Sequence, residues 1–513
     1  MTKRTRMEPI PLTLPTAAKP VIKKIRQLIK AGRAADALLC LAELDRFRSN
    51  NPTIVDLTKG PLLVDIGGDL NDAECVRRGV SLMKDVAVDS VPEVARGKHW
   101  YNLGNGHSAV YRLKRIPGGV NRSLDKDFRE AKRCYREAIR FVAESPESKG
   151  CLHTNYGILL RTVGRHVEEI EEYDEALKAV PEFAMALWHK AKGLCWYSRL
   201  VERPTKRSAL LEARRLLKKS LEAGLEPGHR ARAEQELAEL DRILKEPESP
   251  THKHTEHIAH SDIERKYIKF CVRNRLYLHQ CPIHSHEAYQ DPLSVRFPTR
   301  VKGEFLEWLA LIKQEYIAAR FLLFSYRNEA PDLSFVDRGT FLPSSEEYEG
   351  GIYLQLLNLS FRAAYAVMDK VGYFLNDFCK LGEPPERVYF HEEIFLANGD
   401  LRPELTKYDG LQLAALFDLA REFSLHQPLN SLKVLRNKLE HRCVIVRSGP
   451  TAQGEEEASD QNTGTRTAGN DLNEEGLFDD ALRLLRTVRA AIFYLIYFAR
   501  CSLEPLSSLK RTF

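Results

Sequence analysis

Long apolar stripes with helical spacing dominate the second half of this chain. Large aliphatic and aromatic residues recur at alternating steps of three and four over residues 301–326, 352–380, 409–424 and 474–500. This spacing puts one apolar stripe on each helix, and such helices bury their stripes only against one another. The pattern therefore predicts an all-α fold in which these helices form an up-and-down bundle.

The N-terminal half shows the same helical spacing from about residue 19 to 245, without an alternating strand pattern. One window also has small, turn, aromatic, small and terminating residues in the order Gly157, Gly164, Tyr173, Ala176 and Pro181. This order resembles a tetratricopeptide repeat (TPR), a helical hairpin of about 34 residues. An upstream stretch resembles a degenerate neighbour of this repeat, through Trp100, Leu103, Gly104, Ala131, Tyr135 and Ala138.

Stacked helical hairpins form a superhelix with a concave face, which usually binds a protein segment. The alternative is that these helices only pack against the rest of the chain. The basic segment 203–219 is also open to two interpretations, a solvated helix face or a stripe that binds phosphates.

Two prolines and many polar residues interrupt the helical pattern after residue 245. We therefore predict a TPR-like repeat domain at 19–245, a linker at 246–261 and a helical bundle at 262–513. The linker is rich in histidine, but we predict no metal site there because neither cysteines nor a carboxylate cluster accompany the histidines, which are His252, His254, His257 and His260.

Composition describes a soluble globular protein, with 43% hydrophobic and 29% charged residues. The net charge of +6 permits nucleic acid as a partner without requiring it. The ten cysteines include no Cys-x-x-Cys pair, which fits a reducing cytoplasm and argues against structural zinc. We see no secretory signal, and the most apolar run, residues 490–499, is half the length that spans a bilayer. We therefore predict a cytoplasmic protein without membrane contact.

The best indication of chemistry is Arg436-Asn437 followed by His441. A fixed cation that holds phosphate and a group that titrates near neutrality are what RNA cleavage without a metal needs. Two similar matches, Arg421 to His426 and Arg273 to His279, fall in a turn and in an irregular region, and are weaker candidates.

Helical spacing also predicts how the motif is presented. A helix over residues 430–445 would dock through an apolar stripe and expose Asn437 and His441 on one side; the stripe consists of Leu432, Leu435, Leu439 and Cys443. Five residues separate Arg436 from His441, which places them about 140° apart around an ideal helix. A complete site would therefore need a helix end or groups from a second chain.

With its surroundings, the motif resembles the HEPN domain (higher eukaryotes and prokaryotes nucleotide-binding). The similarity extends over about residues 262–502 and rests on residues in several helices: Lys313-Gln314-Glu315-Tyr316, Ala319-Arg320, Asp369-Lys370, Leu435 to Arg442, Leu484-Leu485-Arg486 and Tyr494-Leu495. The polar stretch 447–476 departs from the pattern, and we interpret it as a disordered insertion.

The resemblance implies a metal-independent endoribonuclease that needs no cofactor and acts as a homodimer. His441 would be the general acid or base, Arg436 would stabilise the transition state, and Asn437 would orient the phosphate or the histidine. Lys438 and Arg442 would add RNA contacts, and the products would be a 2′,3′-cyclic phosphate and a 5′-hydroxyl. A TPR-like array joined to a nuclease resembles regulated defence or stress systems, with a protein partner on the repeat surface.

Three alternatives remain open at this stage. Arg436 and Glu440, four residues apart, match an ordinary surface ion pair. The bundle is also compatible with a non-catalytic scaffold that dimerises, or with a nucleotide-binding module that does not cleave.

Overall fold

The structure is a computed structural model, and it describes residues 16–48, 52–86, 88, 91, 93–141, 145–202, 205–245, 261–280, 291–293, 303–329, 331–338, 351–442, 444–447 and 471–503. The predicted all-α fold is confirmed, because the strands in these residues are confined to four segments of two or three residues. Two compact units divide the chain: residues 1–193 with 214–238, and residues 194–213 with 239–513.

The first unit is built from successive helices. They are α1 (Lys19–Lys30), α2 (Ala34–Leu41), α3 (Pro52–Leu70), α4 (Ala73–Lys84), α5 (Glu93–Leu113), α6 (Val120–Leu124), α7 (Lys126–Ile139), α8 (Pro146–Arg161) and α9 (His166–Ala179), with 3-10 turns at Thr16–Ala18 and Ala42–Phe47. The division between the units falls within the next three helices, α10 (Ala184–Tyr197), α11 (Thr205–Glu222) and α12 (Pro227–Leu244).

Two helical hairpins of the first unit share the same close contact. A Cβ atom added at Gly104 of α5 would lie 2.8 Å from the ring of Tyr135 on α7, and one at Gly157 of α8 would lie 2.6 Å from the ring of Tyr173 on α9. The glycine thus lets the paired helix approach until the buried tyrosine ring lies against its backbone. Helical repeats are therefore present, while their assignment as tetratricopeptide repeats stays a prediction.

The second unit carries the predicted long helices. Its elements are α13 (Asp262–Arg273), α14 (Gly303–Asn328), α15 (Ile352–Cys379), β1 (Leu396–Ala397), β2 (Asp400–Leu401), α16 (Leu411–Arg421), α17 (Asn430–His441), β3 (Ile445–Arg447), β4 (Asp471–Asn473) and α18 (Glu474–Leu503), with 3-10 turns at Ser334–Asp337, Pro385–Arg387, Glu392–Ile394 and Pro403–Tyr408. Strands β1 and β2 pair antiparallel, with Leu396 opposite Leu401. Strands β3 and β4 pair in parallel, with Ile445 opposite Asp471.

The core of the second unit forms where the apolar stripes meet. Helices α14, α15 and α18 pack against one another, α16 packs on α18, and α17 packs on α15. At the centre, Tyr316, Phe361 and Leu484 are completely buried. Helix α17, which carries the motif, is therefore held at the edge of the bundle against α15.

The structure also bears on the predicted linker and insertion. Residues 246–260 of the predicted linker lie outside the described residues, and the domain boundaries at 19, 245 and 262 stay predictions. Residues 448–470 of the predicted disordered insertion also lie outside them. Its two ends are ordered, contrary to the predicted limits of 447–476, since Arg447 pairs with Asn473 in a strand ladder and α18 begins at Glu474.

None of the helices in the described residues is long and apolar enough to cross a membrane. The cytoplasmic location predicted above stays a prediction.

Candidate functional site

Helix α17 presents the motif at the edge of the bundle. Leu432 and Leu435, which are 0% and 6% exposed, fix the helix to its neighbours. Asn437 and His441 lie on the exposed side, as the helical spacing predicts, and Arg436 is half-buried beside the docking face. The three motif residues are thus on one helix, but only the arginine reaches into contact with the bundle.

The helix is shorter than predicted. It ends at His441, and Arg442 adopts an extended conformation with φ −134° and ψ 153°. The predicted stripe is reduced accordingly, because Leu439 is only partly buried and Cys443 lies outside the described residues. His441 therefore occupies the last turn, where its ring makes no hydrogen bond or ion pair with any residue that the structure describes.

Arg436 is held by two residues of α15. Its Nη2 lies 3.8 Å from Oδ2 of Asp369, and its Cζ lies 5.6 Å from the ring centroid of Tyr365. Its Nη1 also donates to Oδ1 of Asn437 at 3.2 Å. The guanidinium keeps 31% of its side-chain surface exposed. A cation fixed on one side and open on the other is suited to bind a phosphate.

Asp369 is an unusual partner for this arginine, because burial raises the pKa of its carboxyl to about 6. Arg436, Lys370 and the backbone N–H of Phe390 oppose this rise without cancelling it. Lys370 has its own acidic partner in Glu315, with Nζ 2.6 Å from Oε2. Asp369 therefore changes protonation near pH 6.

Glu440 forms an ion pair with Arg362 of α15, whereas the helical spacing suggests a pair with Arg436. Glu440 instead accepts two hydrogen bonds from Arg362 of α15, at 2.8 and 2.9 Å. These hydrogen bonds lower the pKa of Glu440. The bidentate pair fixes the C-terminal half of α17 to α15 and leaves Arg436 for Asp369.

The two rival arginine–histidine pairs lie in different surroundings. Arg421 ends α16 and donates to Glu392 at 3.2 Å, while His426 is exposed in a turn with φ 63°. Arg273 ends α13, whereas the His279 ring is buried and its carbonyl accepts a hydrogen bond from Arg489 at 2.7 Å. Neither pair places an anchored arginine and an exposed histidine on one helix.

The residues that carry the resemblance to HEPN domains mostly form internal contacts of the second unit. Tyr316 donates its hydroxyl hydrogen to the carbonyl of Leu276 at 2.6 Å. Arg320 is buried and pairs with Asp291 at 2.9 Å. Asp369 differs from these residues, because it lies beside the motif.

Tyr365 and Arg362 are contacts that the sequence prediction missed. Together with Asp369 they recur at steps of three and four along α15, which puts them on one side of the helix beside the apolar stripe. This polar edge was the sequence pattern that could have indicated them. The predicted RNA contacts Lys438 and Arg442 lie on the motif helix and directly after it, partly buried and exposed respectively. In the described residues, no group of three or more His, Cys, Asp or Glu side chains is arranged to hold a metal ion.

Comparison with known families gives a match in the C-terminal part of the chain. No curated protein matches the chain. Residues 299–502 match the family model described as LA2681-like HEPN, a narrower range than the 262–502 of the sequence resemblance. This match includes α14 to α17, all of α18 except its last residue, and every motif residue. It supports a HEPN domain in the C-terminal part of the chain.

Proposed function

We propose that this protein is a metal-independent endoribonuclease whose site is completed by a second copy of the chain. The observation that carries the proposal is the arrangement on α17, where Arg436 is anchored by Asp369 and Tyr365 while Asn437 and His441 stay exposed. The match to a HEPN domain, a class of nucleotide-binding or ribonuclease modules, supports it.

In the proposed reaction, His441 accepts the proton of an RNA 2′-hydroxyl as that oxygen attacks the adjacent phosphorus. Arg436 stabilises the extra negative charge on the phosphoryl oxygens. The bond between phosphorus and the 5′-oxygen breaks, and a protonated histidine donates a proton to the leaving oxygen. The products are a 2′,3′-cyclic phosphate and a 5′-hydroxyl, and Asn437, Lys438 and Arg442 orient the RNA.

A dimer is proposed for a geometric reason. Residues five apart on a helix are about 140° apart around its axis, so one chain does not direct both Arg436 and His441 at one phosphate. Val434 is 47% exposed and shares the helix face of His441, seven residues later, while Leu359 on α15 is 44% exposed. These apolar residues beside the motif are suited to contact with a second copy.

We further propose that the helical repeats of the first unit regulate the nuclease through a protein partner, in a defence or stress role in the cytoplasm. This part rests on the analogy between a repeat array joined to an RNase-like domain and regulated effector proteins.

The test is cleavage of a labelled RNA by the full chain in the presence of a chelator. Wild type is expected to cleave, and His441→Ala and Arg436→Ala are each expected to lose at least about a hundredfold in rate. His426→Asn is the matched control, because asparagine tolerates the positive φ at that turn. Failure of the wild type to cleave would refute the nuclease, and saturable binding of a mononucleotide without cleavage would favour a nucleotide-binding module.

A further inference from the structure

A cluster of cationic and aromatic side chains lies within the first unit, far along the sequence from the motif. Tyr173 of α9 and His189 of α10 stack with their ring centroids 5.7 Å apart. The ring centroids of His189 and Trp188 are 4.8 Å apart, and those of Trp188 and His229 of α12 are 5.1 Å apart. Three helices therefore contribute to one aromatic wall.

Basic residues surround this wall. Lys192 lies over the Trp188 ring, with Nζ 4.6 Å from its centroid. Arg161 ends α8, one helical turn after Gly157, which contacts the Tyr173 ring. Arg232 of α12 pairs with Glu236 at 3.3 Å.

One carboxylate, that of Glu236, contacts several of these side chains. Glu236 accepts the indole N–H of Trp188 at 2.7 Å and also lies 3.5 Å from Lys192, besides its pair with Arg232. Glu169, which is also next to Tyr173, has its own contact with His166 at 3.3 Å. Arg161, Lys192 and Arg232 therefore outnumber the carboxylates Glu236 and Glu169 by one positive charge.

Several polar atoms at this place have no hydrogen-bond partner. Nη1 of Arg161, Nδ1 of His189 and the hydroxyl of the fully buried Tyr173 are all inaccessible and unpaired in the described residues. A buried donor without a partner costs about 1–3 kcal/mol. The pKa of His189 is lowered mainly by burial and further by the nearby cations Arg161 and Lys192. The pKa of Lys192 is likewise lowered mainly by burial and further by Arg161.

An anion would relieve both the excess charge and the unpaired donors. A phosphate monoester is anionic and offers three strong acceptor oxygens, as many as the unpaired groups of Arg161, His189 and Tyr173, whereas a carboxylate offers two. We propose that Arg161, His189, Lys192 and Arg232 form a binding site for the terminal phosphate of a small molecule. Access is possible from solvent, because Lys192 retains 18% and Arg232 retains 64% of side-chain exposure.

The site is tested by phosphorus NMR titration of the full chain with inorganic phosphate and with adenosine monophosphate, at fixed ionic strength. Saturable binding is expected, and Arg161→Gln and Lys192→Gln are each expected to weaken it by about tenfold or more. Arg140→Gln is the matched control, since it removes the same charge from the first unit at a side chain that is 73% exposed. Circular dichroism melting of each variant verifies that the fold is kept.

The outcomes separate this proposal from its alternatives and from the nuclease. Absence of saturable binding, or equal weakening in Arg140→Gln, would overturn it. Equal binding of acetate would overturn the phosphate assignment, and tighter binding of a phosphoserine peptide than of adenosine monophosphate would overturn the small-molecule assignment. RNA cleavage is measured separately in the same variants, so the site stands or fails independently of the proposed nuclease.

Discussion

Replacement of Asp369 by asparagine tests the link between the anchor of Arg436 and the chemistry of the site. The Asp369 carboxyl has a pKa raised from 3.8 to about 6, with burial as the largest cause. Asparagine has a similar shape but never ionises. Asp369→Asn therefore removes the cost of the buried charge and also the carboxylate that holds Arg436.

The magnitude follows from the size of the pKa shift. At about 1.36 kcal/mol per pKa unit, the shift corresponds to about 3 kcal/mol, which is an upper value because the side chain is 20% exposed. Since the folded pKa is raised, the folded protein binds more protons than the unfolded chain between pH 3.8 and about 6, and stability falls as the pH rises through this window. The cost of ionised Asp369 is absent below the window and complete above it.

The assay is urea denaturation of both proteins at about pH 4 and about pH 7.5. Asp369→Asn is expected to be more stable than wild type by up to about 3 kcal/mol at the higher pH, with little difference at the lower one. Its RNA cleavage is expected to fall by at least about tenfold, because Arg436 loses its position. Asp377→Asn makes the same charge change at an exposed site of the same helix and serves as the control. A variant that is less stable than wild type at the higher pH, or that differs equally at both, would refute the reasoning.

Three further predictions concern packing and assembly. Gly157→Ala is expected to destabilise the protein by about 1–3 kcal/mol, because its Cβ would lie 2.6 Å from the fully buried Tyr173 ring. The assay is thermal unfolding, with Gly68→Ala as the control, because a Cβ at Gly68 would have no atom within 4 Å. Equal destabilisation by the two substitutions would contradict the prediction. Arg362→Ala is expected to lower the free energy of unfolding by less than about 1 kcal/mol in urea denaturation, because the side chain is 43% exposed. A larger decrease would contradict this and would mean that solvent screens the pair with Glu440 less than its exposure indicates. Val434→Asp is expected to shift the chain from dimer to monomer in sedimentation experiments and to reduce RNA cleavage; an unchanged dimer would place the interface elsewhere.

Local pattern was enough to predict the helices of the bundle. The stripes through Leu357 and Phe361 on α15 and through Leu484 and Val488 on α18 are buried as their spacing indicates. Helical spacing reports which face of a helix is apolar, and this information is contained in neighbouring residues. The end of α17 was predicted four residues too late, because apolar spacing continues to Cys443 while the backbone becomes extended at Arg442.

The partners of the motif could not be predicted in the same way. Asp369 meets Arg436, and Arg362 meets Glu440, only because α15 packs against α17 across more than sixty intervening residues. The helical spacing of Arg436 and Glu440 instead predicts a pair between them, since it reports only contacts along one helix. Which arginine contacts which acid depends on tertiary packing.

The chemical ends of the RNA fragments test the central proposal most directly. Wild-type protein in chelator is expected to release fragments with a 2′,3′-cyclic phosphate at one end and a 5′-hydroxyl at the other, and His441→Ala is expected to release none. Fragments with 3′-hydroxyl and 5′-phosphate ends, or fragments that persist in His441→Ala, would contradict the account.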